Sequence, residues 1–328
     1  MMRGFWMLIS FTCFCIWNTP AVAMAVDSEK LKQVIESQSH CENFIRADEQ
    51  NVYLGFGIYR KFVEEPRSPI PAYFKIIPLD HPEYAYALDT ADAAIDMTRQ
   101  GNTLFLLTYS GIEEWDLGTR TMKEIYPTYQ MTGAMAYEQH PQGFARYNDK
   151  MIIAHGRLGV SFFDLKSKRL TNQFHLAQNQ GRLESESTAV TVLGKYAYVL
   201  MDSFSLVPNG QKQPFRGLIV IDMETEKVIS EMEGMDTGTD AMVNDGHKLI
   251  VSFRGYPLWK YDMNHLQGNK MPEPELRFWQ FPVAGHPTGK PMMDSKYYFT
   301  CYLKDPPQPG GNYTRVPMAL DRHALHLD

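Results

Sequence analysis

The sequence predicts an all-β protein, a β-propeller of six blades that follows an export signal and a short helix. A strand-turn-strand unit recurs five times between residues 94 and 321, and each unit ends its third strand in Asp. The intervals between these Asp residues are 48, 58, 40 and 59 positions. Repeats of roughly 40 to 50 residues with several strands each are typical of propeller blades. Seven blades is the alternative count.

Residues 1–23 have the pattern of a secretory signal peptide. Arg3 supplies the positive start, residues 5–17 are apolar, and residues 21–23 (Ala-Val-Ala) form a small-residue cleavage site. An uncleaved N-terminal anchor is the alternative. No later stretch has the ~18 apolar residues that a spanning helix needs. We therefore expect a secreted or periplasmic protein without a membrane span after signal cleavage.

Residues 24–45 are expected to form a helix and a closing segment, ahead of a propeller domain at 46–328. Within residues 27–39, Leu31, Val34 and Ile35 fall on one helical face, and Asp27 or Ser28 can cap the helix. The mature chain then contains two cysteines, Cys41 and Cys301. Export makes a disulfide between them chemically possible, and two separate buried thiols are the alternative.

The recurring Asp residues are interpreted as turn formers. Asp116, Asp164 and Asp222 each stand where a third strand turns into a fourth, and Asp262 and Asp321 follow the same pattern. An Asp carboxylate at such a point accepts backbone N–H bonds from residues two or three positions later. Two units are lengthened by Pro- and Gly-rich insertions at 203–216 and 305–314. Both fall between second and third strands, which predicts one elaborated face of the ring.

Residues 51–59 and 72–79 predict two further strands ahead of the first clear unit. They are expected to belong to a sixth blade that the C-terminal segment completes. The element Ile-Val-Ile-Asp-Met-Glu-Thr-Glu-Lys-Val at 219–228 resembles the blade signature of the YVTN and quinoprotein-like propeller superfamily. The resemblance covers about 230 residues loosely and implies a propeller fold, which supports binding, scaffolding and catalytic functions alike.

Known chemical motifs are missing from the sequence. It contains no C-x-x-C-H, H-E-x-x-H, G-x-S-x-G or phosphate-binding P-loop pattern, and no calcium loop. We therefore predict no cofactor and no metal site. The net charge of −6, with acids and bases interspersed, argues against a nucleic-acid partner.

Loops that join second to third strands, and loops that join consecutive blades, lie on the same face of a propeller, around the central channel. The repeat places a set of polar side chains there. The ligand-binding candidates are Tyr109, His155, Arg157, Asp202, Asp240, Arg254 and His286. Arg157 and Arg254 each stand beside Gly at matching positions, and convergent Arg residues suit a carboxylate or phosphate. The alternative is that each Arg is a solvated loop residue or pairs with a neighbouring acid.

Three functions remain open at this point. The first is a binding or scaffolding module that recognises an unknown protein or a small polar or anionic ligand through its loop-rich face. The second is a hydrolase or lyase on a small polar or sugar-like substrate, with His155, Arg254 and a carboxylate at the channel mouth. The third is a redox-linked dehydrogenase or accessory subunit, which only the family resemblance implies. The sequence leaves open whether the protein is an enzyme.

Overall fold

The computed structural model describes residues 26–57, 72–129, 141–176, 185–202, 214–235, 239–253, 256–266, 268–278, 281, 284–305 and 314–327. These residues form one α-helix, α1 (Ser28–Glu36), and twenty-three strands. Among the helices of the described part, none has the length and apolar character required to cross a membrane.

The strands group into six antiparallel blades, numbered here along the chain. Blade one contains β1 (Phe44–Ala47), β2 (Asn51–Gly55), β3 (Tyr73–Pro78) and β4 (Tyr86–Asp89). Blade two contains β5 (Ala94–Gln100), β6 (Thr103–Thr108), β7 (Gly111–Asp116) and β8 (Thr121–Tyr126). Blade three contains β9 (Gly143–Tyr147), β10 (Lys150–Ala154), β11 (Val160–Asp164) and β12 (Arg169–Phe174). Blade four contains β13 (Glu186–Leu193), β14 (Tyr196–Asp202), β15 (Gly217–Asp222) and β16 (Lys227–Glu233). Blade five contains β17 (Thr239–Asn244), β18 (Lys248–Phe253), β19 (Tyr256–Asp262) and β20 (Leu276–Phe278). Blade six contains β21 (Gly285–Met293), β22 (Tyr297–Lys304) and β23 (Thr314–Asp321).

The first strand of each blade lies innermost, and these six strands contact one another in chain order until β21 meets β1. The ring is therefore closed, and the predicted count of six blades is confirmed. One parallel bridge, between Phe44 and Lys290, joins blade six to blade one. The C-terminal segment does not complete the blade that contains β2 and β3, contrary to the expectation from sequence. β1 and β4 complete that blade instead, and at four residues each they are too short to show a clear alternation.

Helix α1 covers the outer strand of blade six, where the other blades have a fourth strand. The Asp27 side chain caps the helix by accepting a bond of 2.9 Å from the Glu29 backbone N–H. Leu31, Val34 and Ile35 are buried in one hydrophobic cluster with residues of β1, β2 and β22. The helix predicted from sequence is confirmed, and it protects a sheet edge that would otherwise expose unpaired backbone groups.

A disulfide joins Cys41 to Cys301, as predicted, with 5.4 Å between the two Cα atoms. Both residues are fully buried. Cys41 precedes β1, and Cys301 lies in the middle strand of blade six. The bond therefore fastens the first blade to the last one at the seam where the ring closes.

The five recurring Asp residues form turns, as the sequence predicts. Each carboxylate accepts one or two backbone N–H bonds from residues two or three positions later, at 2.6–3.2 Å. The residues are Asp116, Asp164, Asp222, Asp262 and Asp321. All five lie on the side of the ring that carries the short hairpins, which we call the turn face.

Asp222 makes the stability of the fold depend on pH. A hydrogen bond from Lys195 and the backbone N–H groups of Thr225 and Glu224 lower its pKa from 3.8 to about 2. A carboxyl group whose pKa is lower in the folded state stabilises the protein above its unfolded pKa, and this stabilisation is lost as pH falls. We expect Asp222→Asn to be less stable than the wild type at pH 7, with the difference vanishing between about pH 4 and pH 2.

Urea unfolding at several pH values measures this difference. Asn keeps a carbonyl oxygen that can accept the turn hydrogen bonds, so the substitution removes mainly the charge. Asp89→Asn, at the exposed end of β4, is the control and is expected to have little effect at any pH. A stability difference for Asp222→Asn that stays constant from pH 7 to pH 2 would contradict the prediction.

The opposite side of the ring, which we call the loop-rich face, carries the long connections. The β14–β15 and β22–β23 connections contain the two insertions noted in the sequence, although residues 203–213 and 306–313 lie outside the described part. The strand bounds on either side place both insertions between second and third strands, as predicted. Both therefore belong to the loop-rich face.

Candidate functional site

A cavity of about 400 Å³ opens at the mouth of the central channel on the loop-rich face. Its walls come from blades one, two, three and six. The polar residues of its described lining are Glu42, Asn43, Tyr109, Gln142, His286, Thr288, Lys290 and Arg315. The volume falls within the range of small-molecule sites, which is about 300–1,000 Å³. We call this space the channel-mouth cavity.

A bulge in β21 shapes one wall of the cavity. Thr288 pairs with Cys301 and Met292 pairs with Phe299, so that residues 289–291 face a single residue of β22. Gly289 adopts a left-handed backbone conformation (φ +68°), and a Cβ at this position would lie 2.7 Å from the Asn43 carbonyl oxygen and 2.8 Å from that of Glu42. Glycine is therefore required for β21 to approach the segment before β1 so closely. Bulges of this kind re-aim a side chain next to a functional site.

The bulge directs Lys290 across the channel. The Lys290 backbone N–H donates to the Asn43 carbonyl at 2.7 Å, and the Arg46 guanidinium donates to the Pro291 carbonyl at 2.8 Å. The Lys290 ammonium donates to the backbone carbonyl of Gln142. Gln142 precedes blade three, which lies opposite blade six in a six-bladed ring. Lys290 thus spans the channel and forms a floor of the cavity.

Among the described residues of the lining, cations outnumber acids. Lys290 and Arg315 are its cations, and Glu42 is the carboxylate of its lining. The Glu42 carboxylate accepts from the Gly57 backbone N–H at 2.7 Å and lies 3.0 Å from His40 Nε2. Within the described part of the chain, the Arg315 guanidinium and the His286 imidazole have no hydrogen-bond or ion-pair partner. The wall therefore favours a negatively charged guest.

Arg157 and Asp202 belong to a second polar group on the same face, over blades three and four. Arg157 Nε donates to Glu186 at 3.0 Å, and Glu186 stands opposite Asp202 across the β13–β14 pair. Asp202 is fully buried, and its carboxylate lies 3.8 Å from Arg216 Nε. Two acids thus stand between two cations, and Arg157 pairs with one of these acids, which is one of the alternatives considered above.

His155 lies beneath that group and is fully buried. Its Nε2 lies 2.8 Å from Ser161 Oγ, and Ser161 Oγ donates to the Thr128 carbonyl at 2.5 Å. Because the serine hydrogen is directed at Thr128, we assign the proton of the pair to His155 Nε2. The His155 imidazole also packs edge-on against the Tyr129 side chain, with 5.2 Å between the two ring centroids. His155 thus has a structural role in joining blade three to the connection that precedes it.

The seven predicted candidates are therefore divided between several places. Tyr109 and His286 line the channel-mouth cavity, whereas Arg157 and Asp202 lie together over blades three and four. His155 is buried below them. The side chains of Asp240 and Arg254 lie outside the described residues. Ligand binding by these residues stays a prediction.

The predicted loop positions need three corrections. His286 lies in β21 and Asp240 lies in β17, rather than in loops between blades, and Asp202 is the last residue of β14. All three strands run longer than their apolar residues suggest. The sequence reasoning also missed Lys290 and Arg315. The signal for Lys290 was the run Thr-Gly-Lys-Pro at 288–291, because Gly and Pro inside a strand often mark a bulge.

A larger cleft of about 770 Å³ opens on the rim, between blades four and five. Tyr196, Tyr198, Met263 and Leu266 contribute to its walls. The charged residues in its lining are acidic and come from one strand, β16. In the described part of the chain, no cluster of three or more His, Cys, Asp or Glu side chains is arranged to hold a metal ion.

Comparison with solved structures finds the β-propeller domain of Cps50 (Swd1) from Myceliophteria thermophila. The two share 12% sequence identity with a TM-score of 0.54, and the match covers 87% of each chain. At this identity the likeness shows the fold alone. No protein-family model matches the chain, and no curated protein is significantly similar in sequence. The chain is therefore a β-propeller, and its membership of the YVTN and quinoprotein-like superfamily stays an expectation.

Proposed function

We propose that the protein is an exported binding module that recognises its ligand at the channel mouth of the loop-rich face. The observation that carries this proposal is the convergence of side chains from four blades on one cavity of about 400 Å³. A rigid ring of sheets positions these groups, and binding residues concentrate where loops stand on such a scaffold. The re-aimed Lys290 gives the cavity a polar group fixed from two sides.

Export rests on two independent features. The first is the signal-peptide pattern of residues 1–23, and the second is the Cys41–Cys301 disulfide. Disulfides persist in secreted and periplasmic compartments and are rare where thiols are kept reduced. We therefore place the mature protein in the periplasm or outside the cell.

The hydrolase or lyase alternative needed His155, Arg254 and a carboxylate around one pocket. His155 is buried in contacts with Ser161 and Tyr129, and the Arg254 side chain lies outside the described residues. The convergence of side chains on the channel-mouth cavity favours the binding function, whereas no observation favours catalysis at these positions.

A thermal-shift screen of small molecules on the mature protein tests the proposal. A ligand that binds the native state alone raises the unfolding temperature as its concentration exceeds the dissociation constant. We expect compounds that stabilise the wild type and lose this effect in His286→Trp, where the larger ring fills the cavity. The His286 side chain makes no hydrogen bond to the described residues, so the substitution removes no side-chain hydrogen bond there.

His247→Trp, in the β17–β18 turn of the turn face, is the matched control and should keep every hit. The proposal fails if the hits survive in His286→Trp and are lost in Tyr196→Ala, at the cleft on the rim. It also fails if a chemically diverse screen yields no stabilising compound.

A further inference from the structure

We infer that the channel-mouth cavity binds a small organic oxyanion, a carboxylate or a phosphate monoester, with its charged group held by Lys290 and Arg315. This inference rests on the proposed function and names the chemical class of the ligand. It follows from the charges of the lining, the geometry of the bulge and the apolar walls of the cavity.

The charges come first. Two permanent cations, Lys290 and Arg315, line the cavity, and the Glu42 carboxylate accepts a hydrogen bond from the Gly57 N–H and lies 3.0 Å from His40 Nε2. A guanidinium presents its N–H donors as a planar fork that matches a carboxylate or phosphate with two parallel bonds. The Arg315 fork has no partner within the described residues, so a ligand can take both bonds.

The bulge provides the second argument. Residues 289–291 interrupt the pairing of β21, and Gly289 must adopt a left-handed backbone to allow this. The interruption places an ammonium group in the channel, fixed by bonds at the Lys290 backbone and at its side chain. An oxyanion seated on this floor would meet a preorganised cation, which lowers the entropic cost of binding.

The walls provide the third argument. Ile95 and Pro141 are buried, and together with Leu303 and the ring of Tyr109 they give the cavity an apolar side. Charge–charge attraction is stronger beside apolar surface than in open water. The walls would also pack against the apolar or ring-shaped body of an organic acid. A bare inorganic anion would leave this surface unused.

Isothermal titration with a matched set of aromatic probes tests the inference. Benzoate and phenyl phosphate carry the anion, benzamide is the neutral analogue and benzylamine is the cationic one. At constant ionic strength we expect at least one of the two anions to bind with saturation below about 10 mM, and at least tenfold more tightly than benzamide, which corresponds to about 1.4 kcal/mol. Benzylamine should not bind measurably. Inorganic phosphate should bind more weakly than phenyl phosphate, because it has no body to pack on the walls.

Two variants locate the charged group. Arg315→Met changes an exposed side chain, so the protein should fold normally, and anion binding should weaken about tenfold or more. Lys290→Met should abolish anion binding. Lys166→Met, an exposed cation of the turn face, controls for net charge and should bind as the wild type does. Circular dichroism confirms the fold of each variant.

The inference is overturned if benzamide binds as tightly as benzoate, or if Arg315→Met and Lys290→Met both bind the anions unchanged. It is also overturned if neither anion binds. The thermal-shift screen then separates the two proposals. Neutral or cationic hits that His286→Trp abolishes would leave the binding function standing and exclude the oxyanion.

Discussion

Replacing both Cys41 and Cys301 with serine is expected to lower the free energy of unfolding by about 5 kcal/mol. The disulfide spans a sequence separation of 260 residues and joins the first blade to the last. In the chain-entropy account, a bond that closes so long a loop stabilises the protein mainly by restricting the unfolded chain. Among the described residues, one bridge between strands, Phe44 to Lys290, joins β1 to β21 at this seam, and the disulfide adds the covalent link there.

Urea unfolding of the oxidised wild type and of the double variant measures the difference as a shift of the midpoint. The wild type treated with reductant should have the same urea midpoint as the variant. This comparison separates loss of the covalent bond from the effect of the serine side chains. Each single serine variant should match the double one, because either removes the bond. A midpoint within error of the oxidised wild type would contradict the prediction.

Gly159→Ala is expected to destabilise the fold by about 3 kcal/mol. Gly159 precedes β11 with φ at +86°, a backbone conformation that side chains disfavour. A Cβ there would lie 2.7 Å from the Leu176 backbone nitrogen and 2.8 Å from the His175 Cα, and it would overlap the Phe174 carbonyl oxygen. These are backbone atoms of the neighbouring strand and its continuation, so the contact cannot be relieved by a rotamer change.

Gly194→Ala provides the matched control. Gly194 also has a positive φ, of +57°, but a Cβ at this turn would meet no atom within 4 Å. We expect Gly194→Ala to lower the free energy of unfolding by only about 1 kcal/mol, because it opposes the backbone preference alone. Chemical unfolding of both variants separates steric overlap from backbone preference. Equal losses of stability in the two variants would show that the crowding around Gly159 is unimportant.

Local patterns made most of the fold predictable. The five Asp turns and helix α1 depend on residues a few positions apart, so the sequence alone contains the relevant information. The Cys41–Cys301 pairing followed from there being two cysteines in the mature chain. Strands β1 and β4 were missed, because four residues show too little alternation to stand out from a loop.

The candidate site was harder to predict, because its geometry is set by contacts between distant segments. His286 and Tyr109 could be placed at the channel mouth by counting repeats. Lys290 could not, because the bulge that directs it depends on Asn43 and Arg46 in another blade. The burial of His155 likewise follows from Ser161 and Thr128, and no pattern in the sequence distinguishes it from an exposed loop histidine.

We expect the Lys290 side chain, which bonds to the Gln142 carbonyl across the hub of the ring, to close the central channel to small molecules. The ion pair of Arg46 in blade one with Asp96 in blade two, at 2.8 Å, adds a second link between blades near the hub. A ligand would then enter and leave through the loop-rich face alone. A bulkier side chain at the entrance that does not touch the bound ligand should slow association and dissociation by the same factor, so the residence time would lengthen while the dissociation constant stays the same.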